Sequence, residues 1–132
     1  MTTTPQFEPS WQSSLKSAVF SLFGIAILGF AIYLLIVFNW SFSDGDRAGY
    51  LQKFSRKGWV CKTYEGELAM TTVPGVAPVL WQFSVWDAKV AEQVNALLGK
   101  RVIVHYREYR AIPTSCFGET SYFVDRIETA PE

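Results

Sequence analysis

Positions 18–38 are apolar apart from Ser21: AVFSLFGIAILGFAIYLLIVF holds 21 residues and no charge. Nothing ionisable at neutral pH occurs between Lys16 and Asp44. A bilayer core about 30 Å thick is crossed by about 20 helical residues. A soluble core helix keeps polar residues along one face, and this run has no such face. The pattern therefore predicts a transmembrane anchor over residues 17–42. Residues 1–16 are polar, include Pro5 and Pro9, and predict a disordered tail. Trp11 and Trp40 bracket the run and predict anchors at the two lipid headgroup levels. The run is longer than the roughly 7–15 residues of a signal peptide's apolar region, and FNWSFSDGD after it holds no small-x-small cleavage site. The anchor is expected to stay uncleaved.

Past the anchor the period shortens. Residues 43–46 (SDGD) predict a turn at the exit from the membrane, residues 50–54 a short strand, and residues 55–58 a second turn. Residues 59–72 form one long extended run, with Gly66 marking a bulge or bend. After a Pro- and Gly-containing loop, Val79, Trp81, Phe83 and Val85 alternate with Gln82 and Ser84, the signature of a half-buried strand. Asp87 is placed to cap a helix whose Val90, Ala91, Val94, Leu97 and Leu98 share a face, with Gly99 closing it. Residues 101–109 and 122–128 predict two more strands around a loop holding Pro113, Cys116 and Gly118. The order β-β-β-α-β-β over residues 44–130 gives a single transmembrane helix followed by a small mainly-β (α+β) domain. A five-stranded OB-like barrel, with its helix between strands three and four, has this order, as do other small α+β sheets.

Composition narrows the function more by exclusion than by assignment. Twelve basic and twelve acidic residues balance over 132 residues, and from Asp44 onward eleven face eleven. A domain that grips nucleic acid carries a basic excess, so that partner is not expected. Trp81, Tyr106 and Tyr122 offer stacking surfaces, but their strand positions point to the core. The chain has no GxGxxG, Walker loop, HExxH or GxSxG, and its one histidine, His105, sits in a strand among valines. Glu65 and Glu67 read as a solvated pair around Gly66, not as the two carboxylates of a glycosidase. Neither a catalytic group nor a metal or cofactor site is expected.

Two features leave alternatives open. Lys53, Arg56, Lys57 and Lys62 form a basic cluster that either contacts anionic headgroups or tips a solvated hairpin. Cys61 and Cys116 are either reduced or joined in one disulfide, and a bridge requires an oxidising compartment. The side of the membrane follows from the same choice. Arg47, Lys53, Arg56 and Lys57 after the helix, against Lys16 before it, favour a cytoplasmic domain, but this rule counts poorly inside a folded domain. The reading favours an external, periplasmic domain.

The run DRAGYLQKFSRKGWVCKTYEGELAM, residues 46–70, together with CFGETSYFV, residues 116–124, resembles a family of small uncharacterised bacterial membrane proteins. Its pattern, GxRxGxxxKxSxKGxxxKTxEGxL, runs here from Gly45 to Leu68. The resemblance implies bacterial origin and residence in the inner membrane, and carries no activity with it. Some relatives bear a 6-phosphogluconate dehydrogenase label, which a chain this short without a dinucleotide fingerprint does not support. The expectation is a membrane-tethered interaction domain whose partners are the bilayer and a neighbouring membrane or envelope protein. An OB-type module for nucleic acid or oligosaccharide, and a thiol redox protein, are the alternatives.

Overall fold

A computed structural model describes Thr3, residues 10–70 and residues 73–131. Half of the expected disordered tail lies outside these residues. The chain divides between Ile36 and Val37 into two compact units.

Helix α1 runs from Trp11 to Asn39, and so begins within the stretch expected to be disordered. The carbonyl of Ser10 accepts from the Ser14 N–H at 3.1 Å and from the Ser13 hydroxyl at 2.8 Å, which secures the first turn. Nothing after Pro9 breaks the helical path until Asn39, short of the expected limit at residue 42. Its 29 residues span about 43 Å, and no residue of its apolar window is buried. This one helix is long and apolar enough to cross a membrane. Trp11 is its exposed first residue, and Trp40 is exposed immediately after its end.

The second unit is a five-stranded sheet rolled into a closed ring. Its elements are β1 (Ser43–Lys57), β2 (Thr63–Ala69), β3 (Leu80–Val85), α2 (Ala88–Ala96), β4 (Arg101–Glu108) and β5 (Tyr122–Thr129). The ring order is β1-β2-β3-β5-β4, with β4 returning to β1. With its helix between β3 and β4, this is the OB arrangement. All pairs are antiparallel except β3–β5, which meet in parallel through a single residue pair, Ser84 and Phe123. The ring is therefore uneven, wide and well laddered except at that seam.

The interior is filled by Leu51, Leu68, Trp81, Phe83, Val85, Val102, Val104, Val124 and Ile127, onto which α2 lays Val90, Ala91 and Val94. Helix α2 starts as its sequence predicts, with the Asp87 carboxylate accepting from the Lys89 N–H at 2.8 Å. Gly99 then takes a φ of 82° to turn the chain into β4.

Two expectations are corrected here. Residues 43–57 form one strand, not a turn, a short strand and a second turn, and residues 59–62 turn instead of extending β2. Gly66 makes no bulge: β2 pairs without a break on both sides of it, and the irregularity lies across the sheet between Leu51 and Lys53. Gly66 is needed for space, because a Cβ there would lie 2.8 Å from Phe83 Cε2 in the fully buried ring.

Candidate functional site

Strand alternation sends Phe83, Leu68 and Tyr64 inward, and sends their neighbours to the outer face of β1–β2–β3. Cross-strand register groups those neighbours: Lys53 with Glu67 and Gln82, Ser55 with Glu65 and Ser84, Lys57 with Thr63. The β4–β5 loop, residues 109–121, lies across this face and buries Glu65 to 6% exposure. Glu65 Oε1 accepts from the Thr63 hydroxyl at 2.7 Å and from the Glu119 N–H at 3.0 Å, while Oε2 accepts from the Ser84 hydroxyl at 2.6 Å. Ser84 Oγ in turn accepts from the Thr120 N–H at 3.2 Å and lies 2.8 Å from Thr120 Oγ1. A hydroxyl has one proton to give. Thr120 Oγ1 also lies 2.9 Å from the Tyr122 carbonyl, so the single protons of Ser84 and Thr120 serve three oxygen contacts between them.

The loop is fastened twice more. Cys61 in the β1–β2 turn and Cys116 in the loop form a disulfide, with Cα atoms 5.0 Å apart across 55 positions of sequence. Lys57 Nζ reaches the Glu119 carboxylate at 3.0 Å. That hydrogen bond, then the carboxylate's charge, raises the lysine's pKa above its ordinary 10.5. A raised pKa in the folded state adds stability at every pH below the ordinary value, fading as pH climbs through the raised one. Both side chains are about half exposed, so water screens the pair. Lys57→Met is expected to change the unfolding free energy near neutral pH by less than about 1 kcal/mol, read by denaturant titration. A loss well above that value would show the pair to be a principal fastening of the loop. Between the loop and the sheet, Lys53, Ser55, Glu67, Gln82 and Thr120 border a recess of about 20 Å³, room for one water molecule.

The basic cluster expected from sequence is split by the strand. Lys53 and Lys57 belong to the recess, Arg56 turns to the other face, 5.7 Å over the Tyr64 ring, and Lys62 is exposed in the turn. Glu65 is the residue that sequence reading missed, since it is buried and not solvated. Trp81, Tyr106 and Tyr122 surround the Arg47 guanidinium at 4.8, 5.3 and 5.7 Å, and so are occupied within the ring. His105 lies on the outer surface, its Nδ1 3.0 Å from an Asp46 carboxylate oxygen. Among the described residues, no three His, Cys, Asp or Glu side chains come together to hold a metal.

A second surface is apolar. Trp86, Val90, Tyr109, Phe123 and Val124 line a cavity of about 280 Å³, with Arg107 and Asp125 ion-paired at 3.3 Å on its edge. The Trp86 indole N–H donates to the Phe117 carbonyl at 2.6 Å, and the Phe38 ring packs on both Trp86 and Phe117. The β4–β5 loop thus links the polar face, the disulfide and the aromatic cluster where the chain enters the unit.

Among curated proteins, none matches this chain. The chain belongs to the family described as domain of unknown function DUF8785, whose sequence profile matches residues 40–130.

Proposed function

We propose that this chain is a single-pass protein of the bacterial inner membrane that holds an OB-like interaction domain at the periplasmic surface. There it binds a neighbouring membrane or envelope protein and works by binding, not catalysis. The observation that carries this reading is the Cys61–Cys116 bridge. Disulfides persist in oxidising compartments such as the periplasm and are rare in the cytosol. The bridge joins the β1–β2 turn to the β4–β5 loop, the two loops that flank the ligand face in OB domains. The opposing basic residues Arg47, Lys53, Arg56 and Lys57 all lie within β1, inside a folded domain, where they say little about orientation. Bacterial origin rests on the family resemblance over residues 45–68. The binding role is supported by the use of Glu65, Ser84 and Thr120, which are spent on holding the loop.

A C-terminal alkaline phosphatase fusion of the full chain is expected to be active, a fluorescent-protein fusion dark, and both thiols blocked to labelling before reduction. An inactive phosphatase with freely labelled thiols would overturn the periplasmic placement. Cross-linking in intact cells is expected to recover a protein adduct, and recovery of bare monomer alone would count against a protein partner.

An oligosaccharide ligand is a second reading. It is favoured by the polar edge of the recess, where Lys53, Ser55, Glu67 and Gln82 offer donors and acceptors side by side. A single-stranded nucleic acid is a poorer fit, because the aromatic rings it would stack upon already enclose Arg47.

A further inference from the structure

The most exposed apolar side chains of the second unit stand at the tip of the β1–β2 hairpin. Trp59 is fully exposed and Val60 is 96% exposed. An indole and an isopropyl group side by side in water gain nothing from the fold, so the sequence places them there at a loss. The tip is nevertheless fixed. Gly58 turns the chain at a φ of 137°, Cys61 is bonded to Cys116, and Lys57 is paired with Glu119. Holding two apolar residues outward on a fastened turn removes the ordering cost of a later contact.

The chemistry around the tip selects the contact. Arg56, Lys57 and Lys62 flank it, Lys57 facing the carboxylates of Glu119, Glu65 and Glu67, while Arg56 and Lys62 are exposed. A tryptophan and an aliphatic residue ringed by basic side chains match the boundary between anionic headgroups and acyl chains. The place of the tip within the unit selects the same partner. Cys116, bonded to Cys61, precedes Phe117, whose ring centroid is 4.8 Å from that of Phe38, near the point where the chain enters. Trp40 and Phe42 are exposed beside that entry. The tip and the chain's entry into the unit are thus joined through the disulfide and the Phe117–Phe38 contact.

We infer that Trp59 and Val60 dip into the headgroup region of the bilayer that anchors the chain, with Arg56, Lys57 and Lys62 against anionic lipid. This rests on the reading of α1 as a membrane anchor. The anchor makes the contact intramolecular, so a small apolar tip suffices. The domain is then held at two points and presents a fixed side to its surroundings, where a single tether would leave it swinging.

The test uses the full chain in nanodiscs of phosphatidylethanolamine and phosphatidylglycerol, with p-benzoylphenylalanine in place of Trp59. The same probe in place of Val76 serves as the reference, exposed in the β2–β3 loop at the far end of β2. After irradiation, phospholipid adducts at position 59 are expected to exceed those at position 76 at least fivefold by mass spectrometry. Equal yields at the two positions, or adducts at 59 to a second copy of the chain instead of lipid, overturn the inference. A chain that elutes apart from the discs overturns the anchor reading and this inference with it. A chain that stays in the discs without lipid adducts at position 59 overturns this inference alone.

Discussion

Replacing Cys61 and Cys116 together by serine is expected to lower the stability of the domain by about 4 kcal/mol. The bridge closes a loop of 55 positions, and a crosslink of that span removes close to this much chain entropy from the unfolded state. For a domain of this size such a loss corresponds to a fall of roughly 15–30 °C in thermal midpoint. Circular dichroism of the full chain in detergent, with and without reductant, measures it. The mechanism also predicts that the reduced wild type melts with the double variant, because both lose the same constraint. A shift below about 1 kcal/mol would mean that the unfolded chain is already held together by other contacts, and would leave the bridge a local ornament of the turn.

Glu65→Ala is expected to cost about 3 kcal/mol, a large effect for a residue on the outer face of a sheet. Alanine leaves the Thr63 and Ser84 hydroxyls and the Glu119 N–H without their acceptor, two of them beneath the loop. Glu65→Gln keeps the shape. Its carbonyl can accept from Thr63 and Glu119, and its amide can donate to Ser84, whose proton then passes to Thr120. The glutamine variant is therefore expected to lose less than about 1 kcal/mol. Hydrogen exchange separates this local effect from global unfolding. The Glu119 and Thr120 amides should exchange faster in the alanine variant while those of α2 keep their relative protection. Equal losses for alanine and glutamine would show that the charge, not the arrangement of acceptors, holds the loop. Because Glu65 and the disulfide fasten the same loop to the same sheet, the triple variant should lose less than the sum of its parts.

What the sequence discloses depends on how far away the partners of each residue lie. Helix α2 was legible because its cap, its apolar face and its closing glycine all fall within a dozen residues. Strands β3, β4 and β5 were legible because their inward positions are large and apolar. Strand β1 was not, since Gly45, Arg47 and Gly49 occupy its inward positions before Leu51 and give no apolar alternation to read. Those residues answer to neighbours across the ring. Tyr106 packs over Gly45, Ala69 and Leu68 need the room at Gly49, and three aromatic rings receive Arg47. Gly66 was noticed for a conformational reason and matters for a steric one. The burial of Glu65 was hidden because its cover comes from Glu119, 54 positions later. Two cysteines allowed one pairing at most, so their partner was never in doubt, only whether the bond existed.

The seam between β3 and β5 has a further consequence, for the making of the protein. The β1–β2 and β2–β3 hairpins need only neighbours in sequence, and such contacts form early. The seam rests on one backbone pair and on the clasp between Ser84 and Thr120, and neither exists until the loop after β4 has come across the sheet. Cys116 rides on that loop and meets Cys61 only when it arrives. An oxidant acting on the chain thus finds two adjacent thiols only in molecules that have closed. The sulfur–sulfur bond then acts as a receipt for finished assembly, written once the last piece is in place and kept only where the surroundings are oxidising.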